Sequence, residues 1–253
     1  MTEISPILLP VLFLTGAVAG LIDSIAGGGG LITIPVLLGL GLPPQTALGT
    51  NKLQATFGSF SAMAHFVRAG TVRLRDAAPG VVWTAIGAIL GSYTVQQIDP
   101  GFLKKVIPYL LLLILCYTIF TPKLGAEEVK PRLTRGIFYP LFGLLLGFYD
   151  GFLGPGTGSF WVVSLMLGLG FEMRKGTGYT KVFNFVSNIV SLAVFIAGGH
   201  VLLWAGLVMG AGQAVGARAG AKLVIRKGTR FIRPVFICSV LAVTAKLFWD
   251  IYG

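Results

Sequence analysis

The chain has 253 residues, 55% of them hydrophobic and 11% charged, with a net charge of +11 and a mean hydropathy of +0.84. That composition excludes an ordinary soluble domain and places the chain in a lipid bilayer. The basic residues fall in short stretches between apolar runs rather than on one soluble face, which excludes a nucleic-acid footprint.

In chain order, an apolar segment over residues 7–22 ends at Asp23, and the glycines Gly27, Gly28, Gly29 and Gly30 that follow cannot sustain a regular helix cheaply. Its Ala-Val-Ala resembles a signal-peptide cleavage site, but no basic region precedes it and a similar segment recurs inside the chain, so it is expected to be retained. Residues 31–42 form a short segment of about 18 Å, well below a hydrocarbon core of about 30 Å, and read as a half-helix or re-entrant arm. After the break at Pro43-Pro44, residues 46–67 are long enough to span and carry Asn51, Lys52, Gln54 and His65. A polar side of this kind must face protein or water. Arg68, Arg73 and Arg75 form a basic loop, and residues 81–96 and 102–120 span again.

Residues 122–135 are polar, of mixed charge, and read as a linker. The plan then repeats, with segments at 137–149, 159–169, 178–197, 201–215 and 231–249 and a glycine-rich break over 151–158. Gly16, Gly20, Asp23 and Gly27 have counterparts in Gly143, Gly147, Asp150 and Gly154 at one spacing, and Lys52 answers Lys181. The fold class is therefore an all-α membrane protein of two homologous halves, 1–121 and 136–253. Each half has a glycine-broken helix pair followed by three spanning helices.

Under the positive-inside rule, the Arg68 to Arg75 loop, the linker, Arg174-Lys175 and the cluster of Arg218, Lys222, Arg226, Lys227 and Arg230 are cytoplasmic. Both termini, Pro43-Pro44, Asp99 and the turn at His200 then lie outside, with Lys104 and Lys105 against the trend. The basic loop follows the third segment of the first half but the fourth segment of the second. Equivalent loops on opposite sides predict an inverted-topology repeat, the device by which transporters build a central site.

An aspartate and a lysine at membrane depth cost about 2.5–3.5 kcal/mol each and must be paired or hydrated. One reading has Lys52 and Lys181 supplying positive charge to a cavity between the repeats, while Asp23 and Asp150 pair with them or take up protons. The other makes each pair a structural bridge between first and third helices. The short helices after the breaks aim their N-termini, with unpaired N–H groups, at mid-membrane, a ready anion site. Gly28, Gly29, Gly30, Gly156, Thr157 and Gly158 are the candidate backbone donors. Thr33, Asn51, Gln54, Ser159, Thr180, Asn184 and Asn188 are candidate neutral partners, although polar residues also stitch membrane helices together. His65, His200, Cys116 and Cys238 have no ligand-spaced partner, so no metal or cofactor is expected. The glycine runs lack the Gly-Lys-Ser/Thr ending of a phosphate loop.

With DSIAGGGGLITIP, ALGTNKLQATFGS, GFYDGFLGPGTGSF and KGTGYTKVFNFVSN in order, the chain resembles the TauE/SafE family of membrane permeases over its whole length. The resemblance rests on Asp23, the first glycine run, Asn51, Lys52, Asp150, Gly154, Pro155, Gly156, Thr180, Lys181 and Asn184. It implies a bacterial inner-membrane carrier of sulfur-containing or organic anions, working by alternating access. A homodimer is compatible with it. A passive anion channel and an intramembrane aspartyl protease are the alternative readings. Against the protease stands the absence of a Gly-x-Gly-Asp context at Asp23.

Overall fold

The computed structural model describes residues 8–120 and 130–227, and among them it is all-helical. The helices are α1 (Leu9–Ala26), α2 (Gly30–Gly39), α3 (Pro44–Arg68), α4 (Leu74–Gln96), α5 (Pro100–Phe120), α6 (Arg135–Phe152), α7 (Thr157–Leu169), α8 (Met173–Ala197) and α9 (Leu203–Lys227). The segment expected at 231–249 lies outside the described residues. Large apolar side chains such as Leu14, Tyr93, Leu113, Trp204 and Val215 face outward, and α4 and α8 have the length and mean hydropathy, 1.3 and 1.6, of a membrane crossing.

Both short arms are as short as expected: α2 has 10 residues and α7 has 13, about 15 and 20 Å. Other boundaries differ from the sequence reading for physical reasons. The first apolar helix runs through Asp23 to Ala26, and its counterpart runs through Asp150 to Phe152, so both aspartates sit in last turns instead of beyond them. Helix α4 starts before Pro79, a residue that membrane helices tolerate inside them. Helix α9 continues 12 residues past the expected end at 215, to Lys227. Its cations Arg218, Lys222 and Arg226 repeat at four-residue spacing on an exposed face, while Gly212, Gly216 and Gly220 face inward.

Those glycines set the packing. A Cβ on Gly212, Gly216 or Gly220 would overlap the backbone of Phe13, Ala17 or Leu21, and one on Gly16 or Gly20 would overlap Met209 or Gln213. Helices α1 and α9 are thus in backbone contact along their length, the small-residue mode of membrane helix association. Gly87 and Gly91 of α4 do the same against Gly143, Gly147 and Gly151 of α6 and its backbone. Beyond these pairs, α9 packs on α3 and α4 packs on α8. Apart from α5, the described helices therefore form two groups: α1, α2, α3 and α9 in one, and α4, α6, α7 and α8 in the other. Each group holds the first three helices of one half of the sequence and the fourth helix of the other.

The groups meet chiefly along α3 and α8, which run antiparallel. Gly49 and Thr50, early in α3, touch His200 and Leu202 beyond the end of α8, and Phe66, Thr71 and Val72 at the far end of α3 touch Gly178 near the start of α8. Basic residues gather at that second end, where Arg73, Arg174 and Lys175 line one depression. The backbone N–H groups of Arg132 and Leu133 donate there to Gly168 O, at 2.9 and 3.0 Å. Pro43, Gln45, Asp99 and His200 share the opposite end.

Candidate functional site

Helices α3 and α8 carry most of the buried polar residues, among them Asn51, Lys52 and Gln54 on one, and Thr180, Lys181, Asn184, Ser187 and Asn188 on the other. Both lysines are among the largest fully buried side chains. An ammonium ion there needs an acceptor, and each finds one in the opposite half of the sequence. Lys52 donates to Asp150 Oδ1 at 2.8 Å, and Lys181 donates to Asp23 Oδ2 at 3.0 Å. Each also donates to the main-chain oxygen of the same aspartate. That oxygen belongs to the last turn of α1 or α6, where a cation also complements the negative end of the helix dipole. The expected bridge between first and third helices is present, but it runs between the halves, not within one.

The two glycine breaks cross at the same depth. Gly27 ends α1 in the left-handed conformation, φ 73°, with its N–H on Asp23 O at 2.8 Å, and it lies directly against the backbone of Gly158 in the first turn of α7. A Cβ on Gly30 would come within 3.2 Å of Pro155.

Between the breaks lies a cavity of about 30 Å³, room for roughly two waters. Asp23, Gly27, Gly30, Asn51, Asp150, Gly154, Thr157, Gly158, Asn184 and Asn188 line it, together with Ala55 and Gln213. Most of the expected site residues thus converge. Lys52 and Lys181 stand just behind the wall, held by their carboxylates. Thr33 and Gln54 form a second layer: Thr33 Oγ1 and Gln54 Nε2 donate to Asn51 Oδ1 at 2.6 and 2.8 Å, which leaves the Asn51 Nδ2 donors to the cavity. Gly28, Gly29 and Gly156 shape the breaks from outside the lining. Thr180 and Ser159 do not reach it.

The helix N-termini are less open than the sequence suggests. The Gly29 N–H donates to Asp23 Oδ1 at 3.3 Å, and the N–H groups of Leu31, Ile32 and Ser159 close first-turn bonds to Gly28, Gly29 and Gly156. Asp23 therefore already occupies the anion position at the start of α2.

Two participants escaped the sequence reading. Gln213 stands where the first repeat has Ala88, inside a segment legible only as a glycine-rich packing motif. Ser187 donates to Asp150 Oδ2 and to Asn184 O, in a position where the first repeat has Gly58. The polar load at these positions is uneven: Asn184, Ser187 and Asn188 in α8 correspond to Ala55, Gly58 and Ser59 in α3. Among the described residues no group of His, Cys, Asp or Glu could hold a metal ion. The aspartates each pair with a lysine of the other half, which is not the carboxylate–carboxylate arrangement of an acid protease.

Comparison with known proteins fits this architecture. A probable membrane transporter protein of Haemophilus influenzae is 49% identical over 247 residues, 96% of this chain and 95% of that protein. The probable membrane transporter protein YfcA of Escherichia coli K12 is 43% identical over 250 residues, 99% of this chain and 93% of its own length. YdhB of Bacillus subtilis, also named a probable membrane transporter protein, is 27% identical over 245 residues, covering 90% and 96%. The model of the family described as "Sulfite exporter TauE/SafE" matches residues 12–247, and with crossed breaks and paired charges at mid-height in both halves, the chain belongs to that family.

Proposed function

We propose that this chain is a secondary transporter of a small anion, of the sulfur oxyanion or organosulfonate kind, working by alternating access between two inverted halves in the bacterial inner membrane. The observation that carries the reading is the convergence of both glycine breaks and both Asp–Lys pairs on one small polar cavity. The antiparallel course of α3 and α8 supports the inversion, and the family's description supports the substrate class. The end that gathers Arg73, Arg174 and Lys175 is the cytoplasmic one by the positive-inside rule.

The moving bodies follow the packing, not the sequence halves. Helices α1 and α9, like α4 and α6, are too closely apposed to slide apart, whereas the α3–α8 seam separates the groups and both ion pairs bridge it. A hydrogen bond stands at each end of the seam. Gln45 Nε2 donates to Ile98 O at 2.8 Å at one end, and the Arg73 N–H donates to the Tyr179 hydroxyl at 3.4 Å at the other. A cavity of this size favours a carrier over a channel, because loading an oxyanion requires the groups to part.

Reconstituted into liposomes, the protein should take up sulfite, thiosulfate or methanesulfonate with saturation, and acetate poorly. Asn51→Ala removes donors that face the cavity and should cut uptake about tenfold, the equivalent of roughly 1.4 kcal/mol of binding. Linear, non-saturating flux would establish a channel, and no flux of any sulfur anion by folded protein would end the proposal.

A further inference from the structure

The central site is electrically balanced before any substrate arrives, with two buried lysines against two aspartates. An anion entering such a site brings an unbalanced charge into a medium where that is costly. The balance is kept if one proton enters with it and neutralises one aspartate. We infer that the transporter carries its anion together with one proton, and that Asp23 holds the proton. This rests on the anion-carrier reading above.

The two aspartates are not equivalent. Asp150 has both oxygens engaged, Oδ1 by Lys52 at 2.8 Å and Oδ2 by the Ser187 hydroxyl, and its side chain is 5% exposed. Protonation there would set an O–H against the Lys52 ammonium or require the Ser187 hydroxyl to turn from Asp150 to Asn184 O, 3.1 Å away. Asp23 is 17% exposed and lies against the cavity, with Lys181 on Oδ2 and a long 3.3 Å bond from the Gly29 N–H on Oδ1. Those two donors, an ammonium and a helix N-terminal N–H, are the pair an oxyanion would use. Asp23 is thus a resident anion in the substrate's place.

A proton on Asp23 breaks its ion pair, and the Lys181 ammonium, still held behind the wall by the Asp23 main-chain oxygen, is left with a charge that balances the incoming anion. The new carboxyl O–H needs an acceptor. Asn184 Oδ1 and Gln213 Oε1 are fully buried without a hydrogen-bond partner, and both residues line the same cavity. An anion alone can satisfy neither oxygen, whereas the single O–H of a carboxylic acid can satisfy one of them. The elements around Asp23 present few other charges: Lys181 from α8, Lys52 from α3 with Asp150 from α6 across the cavity, and only Gly29, Gly158 and Gln213 from α2, α7 and α9.

Methanesulfonate is the decisive probe, because it is monovalent and stays ionised on both sides of neutrality, so protons that move with it are carried by the protein. In liposomes loaded with a pH-sensitive dye, an inward methanesulfonate gradient should acidify the lumen at about one proton per anion. An imposed membrane potential should leave the rate unchanged. Asp23→Asn, whose single carboxamide oxygen can accept from Lys181 or from the Gly29 N–H but cannot take up a proton, should move at least tenfold fewer protons per anion carried. Wild-type uptake without acidification, uptake driven by a sodium gradient, or Asp23→Asn that still moves protons would each overturn the inference and leave the carrier reading standing. That wild-type measurement decides even if the variant fails to fold. Absence of methanesulfonate, thiosulfate and sulfite uptake by folded wild type would instead overturn the carrier reading, and the inference with it.

Discussion

Lys52→Met should cost the protein about 3–5 kcal/mol of stability, enough to lose most of the folded population, and Lys52→Met combined with Asp150→Leu should recover most of that loss. The single variant strands a carboxylate that is 5% exposed, with no cation to replace the ammonium bonded at 2.8 Å. The double variant removes both charges, and Ser187, deprived of Asp150, keeps its bond to Asn184 O at 3.1 Å. Thermal unfolding and monodispersity in detergent would read the difference. Lys181→Met should be milder, because Asp23 is 17% exposed against the cavity and keeps the Gly29 N–H. Equal losses at the two lysines would mean that the pairs are energetically equivalent despite their different surroundings.

Gly27→Ala and Gly41→Ala should differ sharply, although both glycines have positive φ, 73° and 83°. An alanine at either position carries the left-handed backbone penalty, about 1–2 kcal/mol. At Gly41 nothing lies within 4 Å of the added methyl, so the penalty is the whole effect. At Gly27 the methyl would also collide with the Gly158 backbone, which cannot rotate away as a side chain can. Overpacking adds about 1–3 kcal/mol, and the crossing of the two breaks is forced apart. We expect a Gly41→Ala protein that transports at near wild-type rate and a Gly27→Ala protein that does not transport. Comparable transport by both would show that the breaks need not touch.

Much of this site is legible in the sequence because membrane burial makes polar residues conspicuous. Asp23, Lys52, Asn51 and Asn184 stand out in apolar runs, and all but Lys52, which lies just behind the wall, line the cavity. The glycine runs likewise announced two helix breaks and two short arms. What one chain could not reveal was partnership across the repeat. Spacing placed an aspartate and a lysine in each half but did not say that each pairs with the other half's. Nor did it give a role to Gln213, since a glutamine among packing glycines carries no periodic signal of its own. Helix α9 was cut short for a related reason: exposed cations near its end look like a loop until the glycines on its opposite face are seen to dock on α1. The donors at the α2 N-terminus looked free because nothing in the sequence shows that Asp23 folds back onto Gly29.

The exchange of fourth helices between the two groups has a consequence for how the protein is made. When only the first half has left the ribosome, α1 has no α9 to fill its glycine groove, and α4 has no α6. Lys52 is already in the membrane without its carboxylate, and Asp23 without its ammonium. The first half is therefore an unfinished intermediate, with open grooves and two charges that lack their partners, until the second half is inserted. The same dependence makes the two halves natural partners as separate polypeptides: each supplies the helix and the counter-ion that the other lacks, so the linker between them sets the order and stoichiometry of assembly while the interlocked helices set its geometry.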